Sequence, residues 1–112
     1  MSTLKGRSGE AVVVAYLKQK NYLILEQNFY SKMGEIDIIA KSSDQILVFV
    51  EVKSYQANSM VSPYEAVTPS KLKKIKNTAL FYTLKKGITD QMMQIDLVIV
   101  KNGVVVDHLE NI

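Results

Sequence analysis

The chain has 112 residues, 47% hydrophobic and 22% charged, which suffices for one hydrophobic core and not for two, since folded domains commonly hold about 100–150 residues. It has no cysteine and one histidine, His108, so disulfide frameworks, thiolate zinc sites and multi-histidine sites are excluded and any metal is expected to be held by oxygen. No apolar run approaches the ~20 residues of a membrane span and residues 1–7 lack the apolar stretch of a signal peptide, so a cytoplasmic protein without a membrane partner is expected. Net charge is only +3, but the segment from Thr68 to Lys86 carries six lysines and no acid, leaving eight bases against eleven acids elsewhere. Such asymmetry hints at a polyanion partner.

Residues 6–20 read as a first helix, with Ser8 or Gly9 near its cap and Lys18 and Lys20 in its last turn, where the helix dipole favours them. The apolar run from Ala11 to Leu17, with three consecutive valines, also fits a buried strand. Tyr22 to Tyr30 is the first strand, Ser31 to Gly34 a turn, and Glu35 to Lys41 a second strand with Ile36, Ile38 and Ala40 on one face. After Ser42-Ser43-Asp44 comes a third strand, Gln45 to Ser54, apolar on both faces at its start and therefore expected at the sheet centre. Short turns make these three an antiparallel meander.

Tyr55 to Val67 has no apolar period and is long for a loop in a small domain. Thr68 then caps a second helix with Pro69 in its first position, Leu72, Ile75, Ala79 and Tyr82 as its buried stripe, and Gly87 as its stop. Met93 to Val100 is a fourth strand, and Asn102-Gly103 signals a two-residue hairpin into a short fifth. The order is αβββαββ. A strand-helix-strand crossover makes the third and fourth strands parallel, so a single α/β domain over residues 1–112 is expected, with a mixed sheet of about five strands flanked by helices.

Three acids stand where apolar residues would be routine. Glu10 shares a helical face with Val13, Val14 and Leu17; Asp37 interrupts an isoleucine-rich strand; Glu51 follows Ile46 to Val50 and, by the period of two, points with Leu47 and Phe49. A lone buried carboxylate is costly unless paired, hydrogen-bonded or bound to a cation. Lys53 is the nearest partner in sequence, ~6.6 Å along the strand from Glu51 on the same face. Neighbouring antiparallel strands can set Asp37 beside Glu51, and a helix packed on that face can lower Glu10 towards both, which makes an oxygen cage suited to Mg²⁺ or Mn²⁺ and to hydrolysis of a phosphodiester. The same acids also fit a helix-end charge, a cross-strand pair and a same-face ion pair.

Lys71, Lys73, Lys74 and Lys76 crowd the first two turns of the second helix, where the dipole disfavours cations. A nucleic-acid phosphate docked on that helix end would account for them, and so would an ordinary solvated face. Asp96 interrupts the fourth strand and is expected either to begin it or to support the metal ligands from behind. Tyr55, Tyr64 and Tyr82 could stack on bases or pack at the loop edge. His108, with no partner legible nearby, is expected at the surface.

The stretches Gly9-Glu10, Gly34-Glu35-Ile36-Asp37-Ile38-Ile39-Ala40, Leu47-Val48-Phe49-Val50-Glu51-Val52-Lys53 and Ala66-Val67 followed by Lys71 resemble the YraN-like family of small bacterial proteins. That family is similar in turn to the PD-(D/E)XK nuclease superfamily and to archaeal Holliday-junction resolvases. The resemblance runs from Arg7 to about Val100. It implies a restriction-endonuclease-like core with Glu10, Asp37 and Glu51 as metal ligands, Lys53 as the catalytic lysine and Lys71 as a phosphate contact. The resolvases act as dimers, so a homodimer is implied as well. Tyr30, Tyr55 and Gln94 stand where arginine is usual, and Ile36 replaces the proline of the superfamily's name.

The leading expectation is a Mg²⁺- or Mn²⁺-dependent nuclease acting on DNA, including branched DNA. Its rivals are a nucleic-acid-binding module that keeps the fold without cleaving, and an interaction protein whose charged cluster is structural.

Overall fold

A computed structural model describes residues 2–56, 58 and 62–112, with side chains from residue 9 onward. The elements in chain order are α1 (Ser2–Gln19), β1 (Leu23–Ser31), β2 (Gly34–Lys41), β3 (Leu47–Tyr55), α2 (Pro69–Lys86), β4 (Met93–Lys101) and β5 (Val104–Leu109). They form one five-stranded sheet in the order β1-β2-β3-β4-β5, with β3 and β4 parallel and the other neighbours antiparallel. The expected α/β architecture, its element order and the central place of β3 are as the hydrophobic pattern implies.

The two helices lie on opposite faces of the sheet. Val13 and Leu17 of α1 pack with Ile38, Ala40, Val48, Val50, Val98 and Val100, all buried. Ile75, Ala79 and Tyr82 of α2 pack with Phe29, Ile36, Ile39, Leu47, Phe49 and Ile95. The odd residues of β3 thus face α2 and the even ones α1, and β3 is buried on both faces because each half of its pleat has a helix to cover it. Burying a side chain such as Leu17 contributes about 1.5–3 kcal/mol.

Helix wins over strand from Ala11 to Leu17 because only Val13 and Leu17 need full burial; Val12, Val14 and Tyr16 fringe the contact and Ala11 and Ala15 face solvent. The helix begins at Ser2, so Gly9 lies inside it rather than at a cap. Gly9 has a packing reason instead: a Cβ there would come within 3.1 Å of the Ser54 Cβ, so α1 crosses β3 closely enough that any larger residue requires Ser54 to give way. Helix α2 is bounded as its sequence signals. The Thr68 hydroxyl accepts from the Lys71 amide, Pro69 opens the helix and Gly87 closes it in the left-handed region.

The loop expected from Tyr55 to Val67 contains a 3₁₀ turn at Pro63–Ala66; residues 57 and 59–61 lie outside the described ones. Strand β1 is irregular at Asn28, which adopts φ +52°. The register on either side, Gln27 with Ile38 and Phe29 with Ile36, sets Asn28 across from Asp37. The alternation breaks at this point: Ile38 and Ala40 face α1, whereas Ile36 joins the α2-side core.

Candidate active site

Strands β2 and β3 pair from Lys41–Leu47 to Ile38–Val50. One step further the register would place Asp37 opposite Glu51, and there the strands part. The Asp37 carboxylate fills the fork, its Oδ2 accepting the Val52 amide at 2.8 Å. This amide is the donor that another rung of the ladder would have used. Glu51 faces α2, as the period of two requires of a residue in phase with Leu47 and Phe49.

Both acids are buried, at 9% and 8% exposure. The Asp37 carboxyl is pushed up from 3.8 to about 8, first by burial, then by the charge of Glu51, and further by the charge of Glu10 and a hydrogen bond with Glu51; the Val52 amide opposes the rise. Asp37 is therefore protonated near neutrality and donates to Glu51. Glu10 reaches this point from α1, and thus from the helix on the opposite face of the sheet, not from one packed over Glu51. The close crossing at Gly9, the residue before Glu10, brings α1 down onto Val52 and Ser54, beyond the paired part of β2 and β3.

The cation beside Glu51 is Lys71. Its Nζ lies 2.6 Å from Glu51 Oε2, reaching down from the first turn of α2. Burial pushes the Lys71 ammonium down, but the hydrogen bond to Glu51 and the charges of Glu51, Asp37 and Glu35 outweigh it, so its proton is held more tightly than usual. Sequence spacing points to Lys53 as this partner; Lys53 is instead exposed, and the helix residue is closer because α2 covers the face to which Glu51 points. Asp37, Glu51 and Lys71 thus meet from β2, β3 and α2, with the charge of Glu10 acting on them from α1.

Three further lysines lie in the first two turns of α2. Lys74 lies over the β1–β2 turn, near the Cβ position of Gly34. Lys76 borders an open cleft of about 340 Å³ formed with Phe49, Leu80, Met93 and Ile95. Lys73, Lys74 and Lys76 are all exposed. Tyr82 is buried against Phe29 and Phe49 and is unavailable for base stacking. Tyr64 is exposed and its hydroxyl donates to Asp107 at 2.7 Å.

Two sequence expectations fail on the α1 face. Asp96 does not begin a strand; it lies within β4, fully buried and paired with Val50 of β3 in the register. His108 is not a surface residue: its side chain is 7% exposed, with Nε2 2.7 Å from Asp96 Oδ2. Asp96 faces α1 with Val98 and Val100, whereas Glu51 faces α2, so Asp96 does not stand behind the Asp37 cluster.

A family model for the uncharacterised protein family UPF0102 matches residues 9–100. The chain belongs to this family. Among its relatives, the UPF0102 protein of Campylobacter jejuni subsp. doylei is 48% identical over 109 residues, covering 97% of this chain and 93% of the relative. That of Persephonella marina is 39% identical over 110 residues, covering 98% and 93%, and that of Geotalea uraniireducens 41% over 108 residues, covering 96% and 84%. The UPF0102 match spans Glu10, Asp37, Glu51, Lys53 and Lys71, Lys73, Lys74 and Lys76 of α2; His108 lies beyond it.

Proposed function

We propose that this UPF0102 chain is a divalent-metal-dependent nuclease that hydrolyses DNA phosphodiesters. The observation that carries the reading is the burial of Asp37 and Glu51 together at the β2–β3 fork, where burial, the charge of Glu51 and the added charge of Glu10 push the Asp37 carboxyl up to about 8. Structural acids rarely accept that cost, and a cation bound between the carboxylates would offset it. The donor set suits the ion, since three carboxyls and no nitrogen or sulfur favour a hard cation such as Mg²⁺ or Mn²⁺. Asp37 and Glu51 would hold it, with Glu10 as third ligand. When bound, the ion supplies Lewis-acid stabilisation of charge on the phosphoryl oxygens and lowers the pKa of attacking water.

The remaining roles fall to this chain's own cations. Lys71 stands at the N-terminal turn of α2, where backbone amides and an ammonium can meet one phosphate. Lys53, exposed two residues beyond Glu51, would steady the attacking water or a phosphoryl oxygen. Lys73, Lys74 and Lys76 extend the positive field over which a DNA backbone would lie. The resemblance to resolvases supports branched DNA as the substrate and a homodimer as the acting form.

The ion pair between Lys71 and Glu51 also favours a second reading, because the ammonium occupies an oxygen the metal would use. In that reading the chain binds DNA through α2 without cutting it. Cleavage assays on single-stranded, duplex and four-way-junction DNA with Mg²⁺ separate the two. The nuclease reading predicts product that is lost in Lys53→Ala and in Glu51→Ala; equal product from wild type and Lys53→Ala refutes it.

A further inference from the structure

The α1 face of the sheet holds a second group of ionisable side chains that the proposed nuclease chemistry does not use. Asp96 is fully buried in β4. His108 of β5 sits diagonally across, since the register pairs Val98 with His108, and Glu110 follows at the exposed end of the same chain segment. One ligand-type atom from each of the three lies within 4.8 Å of the other two.

The hydrogen bonds around this group have a specific arrangement. Asp96 Oδ1 accepts from Gln94 Nε2 at 2.9 Å and from the Asn111 amide at 3.0 Å. His108 Nδ1 is 2.8 Å from the Tyr16 hydroxyl, which also accepts from Lys20 Nζ at 3.3 Å. Each ring or carboxylate is therefore held by its outer atom, while the inner atoms, Asp96 Oδ2 and His108 Nε2, face each other at 2.7 Å with one proton between them. Metal-binding histidines and carboxylates are oriented in this way, with the non-ligating atom fixed by a hydrogen-bonding partner. The surroundings are electronegative as well: burial, and after it the charge of Asp96, pushes the Tyr22 hydroxyl up.

We infer that Asp96 Oδ2, His108 Nε2 and a Glu110 carboxylate oxygen form a binding site for a borderline divalent transition ion such as Zn²⁺. The ion replaces the proton between Asp96 and His108, which leaves to solvent from an imidazolium ring or passes to Nδ1 of a neutral one, so that Nε2 is bare and Nδ1 protonated, and a small outward shift lets the two atoms become ligands of one centre. Imidazole nitrogen selects Zn²⁺ over Mg²⁺, and three protein ligands leave a fourth position for water. Exposed Glu110 provides both the entry path and the last ligand. Tyr16 then accepts from His108 Nδ1, which ties α1 to the β4–β5 hairpin through the metal.

The probe is Co²⁺, which reports nitrogen and oxygen coordination in its visible spectrum, titrated into the full-length protein after EDTA treatment. One equivalent should bind with tetrahedral-type bands, be displaced by Zn²⁺, and persist in Asp37→Asn, which separates this site from the acidic cluster. Glu110→Ala, a change at an exposed position that leaves the fold intact, should weaken binding about tenfold or more, and His108→Gln should abolish the bands. Three results would overturn the inference: no saturable binding by wild type, unchanged affinity in Glu110→Ala, or loss of the bands in Asp37→Asn. Any of these would make the group a clamp between α1 and the hairpin and nothing more.

Discussion

Asp37→Asn separates a structural acid from one retained for a cation. Asparagine matches the protonated carboxyl in shape: its oxygen can keep the Val52 amide and its NH₂ can donate towards Glu51. In wild type the folded-state pKa is raised from 3.8 to about 8, so the folded protein holds a proton that the unfolded chain gives up. The stability this group contributes is complete below pH ~4 and is lost as pH rises through about 8. At about 1.4 kcal/mol per tenfold change in proton affinity the ceiling on that loss is about 6 kcal/mol. Local relaxation and an effective interior dielectric near 20 reduce it, and we expect about 2–3 kcal/mol. Asparagine has nothing to titrate. Urea unfolding in EDTA should therefore give equal stabilities for wild type and Asp37→Asn near pH 4, and a variant more stable by about 2–3 kcal/mol at pH 8.5. A variant less stable than wild type at pH 8.5 would refute the burial and like-charge argument.

Two further perturbations test the supporting parts of the site. Gly9→Val places side-chain atoms where Ser54 already lies, 3.1 Å from a Cβ; it should cost about 1–3 kcal/mol in chemical unfolding, and a loss below 0.5 kcal/mol would show that α1 is not held at that crossing. Lys73→Ala and Lys74→Ala should each weaken DNA binding and reduce the slope of log K against log salt by about one, as measured by fluorescence anisotropy; an unchanged slope removes phosphate contact from the account of α2.

Much of the architecture was legible because single residues carried clear physical instructions. Thr68-Pro69 and Gly87 bounded α2, Asn102-Gly103 fixed the last hairpin, and the apolar run before Glu51 placed β3 at the sheet centre. The face to which Glu51 points followed from its phase with Leu47 and Phe49. What sequence could not supply was the side of the sheet each helix would cover. That choice gave Glu51 to Lys71 rather than to Lys53 and put Glu10 on the helix of the opposite face. The pairing of Asp96 with His108 was hidden by one irregularity. Counting back from the Asn102-Gly103 turn sets Val98 opposite Asp107, but a register shift between Ile99 and Val100 makes it His108, and such a bulge has no signature in the residues. Asn28 was equally silent: asparagine tolerates φ +52° without announcing where it is used.

Isothermal titration of Mg²⁺ into wild type and Glu51→Ala, with thermal unfolding of both alongside, is the most direct test of the acidic cluster as a cation site. Saturable binding to wild type that raises its melting temperature, absent in Glu51→Ala, is the expected result, because an ion bound only by the folded state must stabilise it. Wild type and Glu51→Ala responding alike to Mg²⁺, whether by the same shift or by none, would contradict it.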